Sequence, residues 1–169
     1  MSLPIENKVA QSGLISIDLS DFIANNEIMM FDIKPFLFME LILKEKDFRS
    51  ALAEFDFSIY TKKVVGVYCS TDAIIPMWAN MLVASALNPF ATKVYFGNEE
   101  QVREQFIMES IQHLNASDYT DQRVVVKGCG ETPITASAYI AITQKLRPVV
   151  KSIMYGEPCS TVPVFKRKD

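Results

Sequence analysis

Apolar and polar residues change their spacing at short intervals along this chain, and each change marks an element. The stretch "LISIDLSDF" after Gly13 alternates as a half-buried strand does, and "IMMFDI" reads as a second strand paired with it in a hairpin. Residues 5–12 read as a short helix. The run 36–54, "FLFMELILKEKDFRSALAE", is too long and too rich in helix formers for a strand and is predicted helical. "KKVVGVYCS" is a compact Val-rich run, the pattern of a buried strand, and 73–87 is apolar on every side until Pro89, the pattern of a buried helix. "TKVYFG" and "DQRVVVKGCG" are further strands, each followed by a helix. Asn98 is the expected N-cap of the first, and Thr132 with Pro133 opens the second. Pro148 is expected to break that last helix, "VVKSIMY" to form a second short one, and "STVPVFKR" to be an edge strand, because Pro163 cannot donate to a ladder.

Strand and helix alternating at this pace predict an α/β fold: a mostly parallel central sheet with helices on both faces, and antiparallel edge strands at the N- and C-terminal ends. No linker, composition shift or internal repeat divides the pattern, so residues 1–169 are expected to form one domain. The strand near 63–69 is expected between those near 92–96 and 122–128.

Composition narrows the function. Of 169 residues 49% are hydrophobic, and the net charge is −3, which leaves no electrostatic footprint for nucleic acid; the Lys166–Lys168 cluster is too short to supply one. The start lacks a charged stretch followed by an apolar core, so a cytoplasmic location is expected. The 73–87 helix falls short of a membrane span and contains Pro76 and Asn80, so no membrane association is expected and its apolar surface points to a core or to a homodimer interface.

Little catalytic chemistry is visible. A histidine-based triad would rest wholly on His113, in the last turn of its helix. "GCGETP" has Gly128 and Gly130 of a dinucleotide fingerprint but Pro133 where the third glycine belongs. The three cysteines are better placed. Cys69 and Cys129 each end a strand and precede a helix, and ligands of open parallel sheets bind beyond such strand ends. Helix N-termini favour thiolate, the form that binds metal. Gly156 and Pro158 suit a turn that presents Cys159 to the same point. Three thiolates with oxygen from Asp72, Glu131 or Glu157 suit zinc, iron or part of an iron–sulfur cluster. Two other readings stand beside this one: cysteines as small buried hydrophobes, and one cysteine as the nucleophile of a thiol enzyme that lacks a visible base.

Four long segments, "FDIKPFLFMELILKEKDFR", "CSTDAIIPMWANMLVASAL", "RVVVKGC" and "RPVVKSIMYGEPCSTVPVFKR", resemble those of the DUF2480 family of uncharacterised bacterial proteins, over nearly the whole chain. The resemblance supplies no catalytic residues. It implies a stand-alone cytoplasmic protein with iron–sulfur cluster assembly components as candidate partners. Two classes of function are then expected: an accessory protein binding a metal ion or cluster through thiolates, and a homo-oligomeric interaction protein without catalytic chemistry.

Overall fold

The computed structural model describes residues 13–128, 130 and 133–168. Among them the order is β1 (Leu14–Asp18), α1 (Asp21–Ala24), β2 (Ile28–Asp32), α2 (Glu45–Glu54), β3 (Val64–Tyr68), α3 (Met77–Leu87), β4 (Lys93–Phe96), α4 (Glu99–His113), β5 (Arg123–Lys127), α5 (Ala136–Leu146), β6 (Ser152–Glu157) and β7 (Ser160–Lys166). Short 3-10 turns occupy Lys34–Phe36, Phe57–Tyr60 and Ala116–Tyr119. The fold is α/β as expected, but with two sheets: a parallel one ordered β2-β3-β4, and a mixed one ordered β1-β5-β6-β7 in which only β6 and β7 are antiparallel. The chain divides into two compact units, Asn25–Phe106 and Met1–Ala24 with Ile107–Asp169.

Each sheet is built around one Val-rich strand. In β3, Val64–Val67 are all buried, and in β5 so are Val124–Val126. Strands shielded on both faces read as continuous apolar runs and are found between parallel neighbours. β3 has β2 and β4 as those neighbours, and β5 has β1 and β6. This corrects two expectations. β1 and β2 form no hairpin, since each is the first strand of a different sheet; and the second neighbour of β3 is β2, not β5.

The two units repeat one another. Lys62 and Asp121, just before β3 and β5, both have φ of 61°. Their amides bond Phe90 and Val149 carbonyls at 3.0 and 2.9 Å, and the amides of Thr92 and Lys151 bond Lys63 and Gln122 carbonyls, both at 2.8 Å. At the other strand ends, Ile33 N–H donates to the Tyr68 carbonyl and Leu19 N–H to that of Lys127. The helices match as well: Ala79, Val83 and Leu87 are the buried stripe of α3, and Ala138, Ile142 and Leu146 that of α5. An internal repeat was not expected from the sequence because few side chains are shared between the two copies; burial and backbone hydrogen bonding are the features that recur.

Further differences are local. Helix spans 45–54 rather than 36–54. Before it, Phe38 and Ile42 form an isolated antiparallel bridge around Met39 and Glu40, both at positive φ. α3 and α5 begin at Met77 and Ala136, so Pro133 stands ahead of its helix rather than at the first helical position. α5 does end before Pro148, but the segment after it is β6, where Ile153 is buried and paired with Val124. Thr132 and the 5–12 segment lie outside the described residues. Asn98 caps α4 as expected: its side chain accepts from Gln101 N–H, and the Gln101 side chain accepts from Asn98 N–H, each at 2.9 Å.

The core of the Asn25–Phe106 unit is aromatic. Phe31, 1% exposed, stacks on Phe36 and Phe57 with centroids 5.4 and 5.9 Å away and meets Phe55 edge-on at 5.6 Å. Phe31→Ala is therefore expected to destabilise the protein by about 3–5 kcal/mol. Urea unfolding checks this, and a loss well under about 1 kcal/mol would show that the cluster is not what holds β2 in place.

Candidate functional site

Ligands of parallel sheets bind beyond the carboxyl ends of the strands. In the four-stranded sheet those ends carry Asp18 of β1, Lys127 of β5 and Glu157 of β6. Lys127 Nζ lies 3.7 Å from Asp18 Oδ2 and 3.4 Å from Glu157 Oε2, an ammonium held between two carboxylates. Asp18 Oδ1 also accepts from the Ser20 amide at 3.0 Å and from its hydroxyl at 2.6 Å. Burial pushes the Asp18 carboxyl up, but the Ser20 bonds and Lys127 outweigh it and hold the group below the ordinary aspartate range.

The three-stranded sheet has the same frame with different chemistry. Asp32 ends β2, and its Oδ1 accepts from the amides of Lys34 and Ser70 at 2.9 and 3.0 Å, while Oδ2 accepts from the Ser70 hydroxyl. Here too burial acts to raise the pKa, and the Ser70 and Lys34 bonds bring it below the ordinary value. Asp32 thus fastens the loop that begins at Cys69. Tyr68 stands where the other unit has Lys127, so the lysine between two acids belongs to one sheet only.

Of the residues expected at the thiol site, Cys69, Asp72, Glu157 and Cys159 are among those described. Cys69 follows β3, is half-buried and packs at the margin of the aromatic core; Asp72 is on the loop beyond it. Cys159 is exposed in the turn between β6 and β7, two residues after Glu157. Cys129 and Glu131 lie outside the described residues. Among the described residues no group of three Cys, His, Asp or Glu side chains is gathered as a metal site would need. β3 and β5 belong to different sheets, so the strand pairing from which a switch point shared by Cys69 and Cys129 was argued is absent. Gly156 does shape the last turn: its φ is 114°, and a Cβ there would sit 2.6 Å from the Ser160 carbonyl oxygen. His113 is exposed, with Nδ1 2.9 Å from the Glu109 carbonyl at the end of its own helix.

A family model described as "Protein of unknown function (DUF2480)" matches residues 4–167. The chain belongs to the DUF2480 family. Neither the curated proteins nor the solved structures contain a match to it. The family description names no activity, so the DUF2480 chain must be read from its own geometry. No helix among its described residues is long and apolar enough to cross a membrane. Sequence reading missed Asp18, Asp32 and Lys127. The available signal was an Asp at the end of each first strand, with the residue whose amide it accepts two positions further on.

Both aspartates hold protons less tightly in the folded chain than at the ordinary value of 3.8. The unfolded chain therefore takes up protons first as pH falls, and the stability these groups contribute is present above about pH 4 and lost below it. Urea midpoints measured at descending pH are expected to fall in this window, with Asp18→Asn and Asp32→Asn each flattening the fall. An identical pH dependence in both variants and the wild type would contradict the assignment.

Proposed function

We propose that this DUF2480 protein acts by association, as a homodimeric interaction protein whose interface is the outer face of α3. The observation that carries the reading is the exposure of Met77 and Met81 on that face, at 77% and 71%, with Ile74 just ahead of the helix at 93%. The opposite stripe, Ala79, Val83 and Leu87, is fully buried, so the helix is already docked on one side and still apolar on the other. The helix was expected to be covered all round by the sheet, other helices or a partner chain, and the described residues of its own chain leave one face open. Met77–Leu87 contains no charged residue. A charge-free helical face meets its own copy across a two-fold axis without like-charge repulsion, and flexible methionines adapt to the fit.

A second reading, of thiolates binding zinc or an iron–sulfur cluster in the cytoplasm beside iron–sulfur assembly partners, draws on one observation. β5, which leads into Cys129, is the parallel neighbour of β6, which leads into Glu157 and Cys159. One of this reading's oxygen ligands, Glu157, is already engaged by the Lys127 ammonium at 3.4 Å. This reading therefore stands second.

Sedimentation equilibrium is expected to give a dimer mass for the full chain, and Met81→Glu a folded monomer whose urea midpoint, unlike that of the wild type, does not rise with protein concentration. A wild-type monomer at micromolar concentration would overturn the first reading. Elemental analysis after anaerobic, chelator-free preparation tests the second: metal near one atom per chain that falls in Cys159→Ser would restore it, and metal-free protein would remove it.

A further inference from the structure

The unit containing β5 and β6 differs from its repeat by one strand. β7 adds to β6, and where it faces α5 a cavity of about 410 Å³ opens, lined by Val126, Tyr139, Ile140, Ile153, Tyr155 and Val164. We propose that this cavity is a binding site for a small, uncharged aromatic molecule carrying a single hydrogen-bonding group. The volume lies within the range of small-molecule sites and is far larger than a packing defect. No charged side chain lines it, so a charged ligand would lose its hydration without compensation. Tyr139 and Tyr155 meet edge-on with centroids 5.5 Å apart, which supplies an aromatic wall against which a flat ring packs.

Besides the two tyrosine hydroxyls, the cavity is bordered by the polar side chains of Thr143 and Gln144. The Thr143 hydroxyl donates to the Tyr139 carbonyl at 2.7 Å and is engaged within its own helix. The Gln144 amide, on an exposed residue, offers both a donor and an acceptor to the ligand's polar group. The outer wall is held by the irregular β6–β7 pairing. The register shifts between Ile153 and Met154, and Pro163 stands opposite Met154. A proline and a bulge on an edge strand oppose the addition of a further strand. That argues for a molecule seated in the cavity rather than a second chain extending the sheet. The repeat supports the same conclusion: β4, the counterpart of β6, ends its sheet, so no wall equivalent to β7 exists there.

The probe is naphthol, with naphthoate as its charged counterpart and naphthalene as the one lacking a polar group, followed by methyl resonances of the full-length protein. Saturable shifts confined to Ile140, Ile153, Met154 and Val164 are expected with naphthol and are expected to be weak with naphthoate. Val164→Trp, at a site 53% exposed and so tolerant of size, fills the cavity and should weaken naphthol binding roughly tenfold. Gln144→Leu should erase the preference for naphthol over naphthalene. Non-saturable shifts, equal binding of naphthoate, or unchanged affinity in Val164→Trp would overturn the proposal, and an unchanged preference in Gln144→Leu would overturn the role of the amide. Pocket methyls that move with protein concentration in the absence of probe would assign the groove to a second copy, and so overturn it too.

Discussion

The need to bury two Val-rich strands governs this structure. β3 and β5 are shielded on both faces, and neither can satisfy its backbone groups or cover its side chains without a parallel strand on each side. Each takes one neighbour from earlier in the chain and one from after its helix. β2 and β4 flank β3; β1 and β6 flank β5. Two sheets result where one was expected, and the position of every candidate residue depends on that division.

The repeat explains how chemistry diverges on a common frame. An aspartate closes the first strand of each sheet and accepts the amide two residues on. In one unit it fastens Ser70 and the loop at Cys69; in the other it faces Lys127, which also reaches Glu157. The frame is maintained by backbone hydrogen bonds, which leave side chains free to differ. The same freedom lets one unit add β7 and with it a cavity, while the other leaves α3 with an exposed apolar face.

Much of this was legible along the chain. The Val-rich strands, the helices after them, the Asn98 cap and the edge strand bearing Pro163 are set by local periodicity, propensity and the missing proline N–H, all of which act within a few residues. The segment after Pro148 was misread because a helix break fixes where one element ends and leaves the type of the next one open; pairing with β5 and β7 made it a strand. The 37–43 stretch looked helical by composition, but the Phe38–Ile42 bridge and two positive-φ residues hold it in a loop.

Strand partnership was decided only by the tertiary structure. A Val-rich strand specifies that it must have parallel neighbours, not which segments they are, because the hydrogen-bonding groups of every strand are alike. The sequence therefore determined the α/β class and the order of its main elements. The tertiary structure determined that Cys69 and Cys159 follow strands of different sheets, that Asp18, Lys127 and Glu157 come together, and that the apolar helix Met77–Leu87 keeps one face uncovered by the described residues.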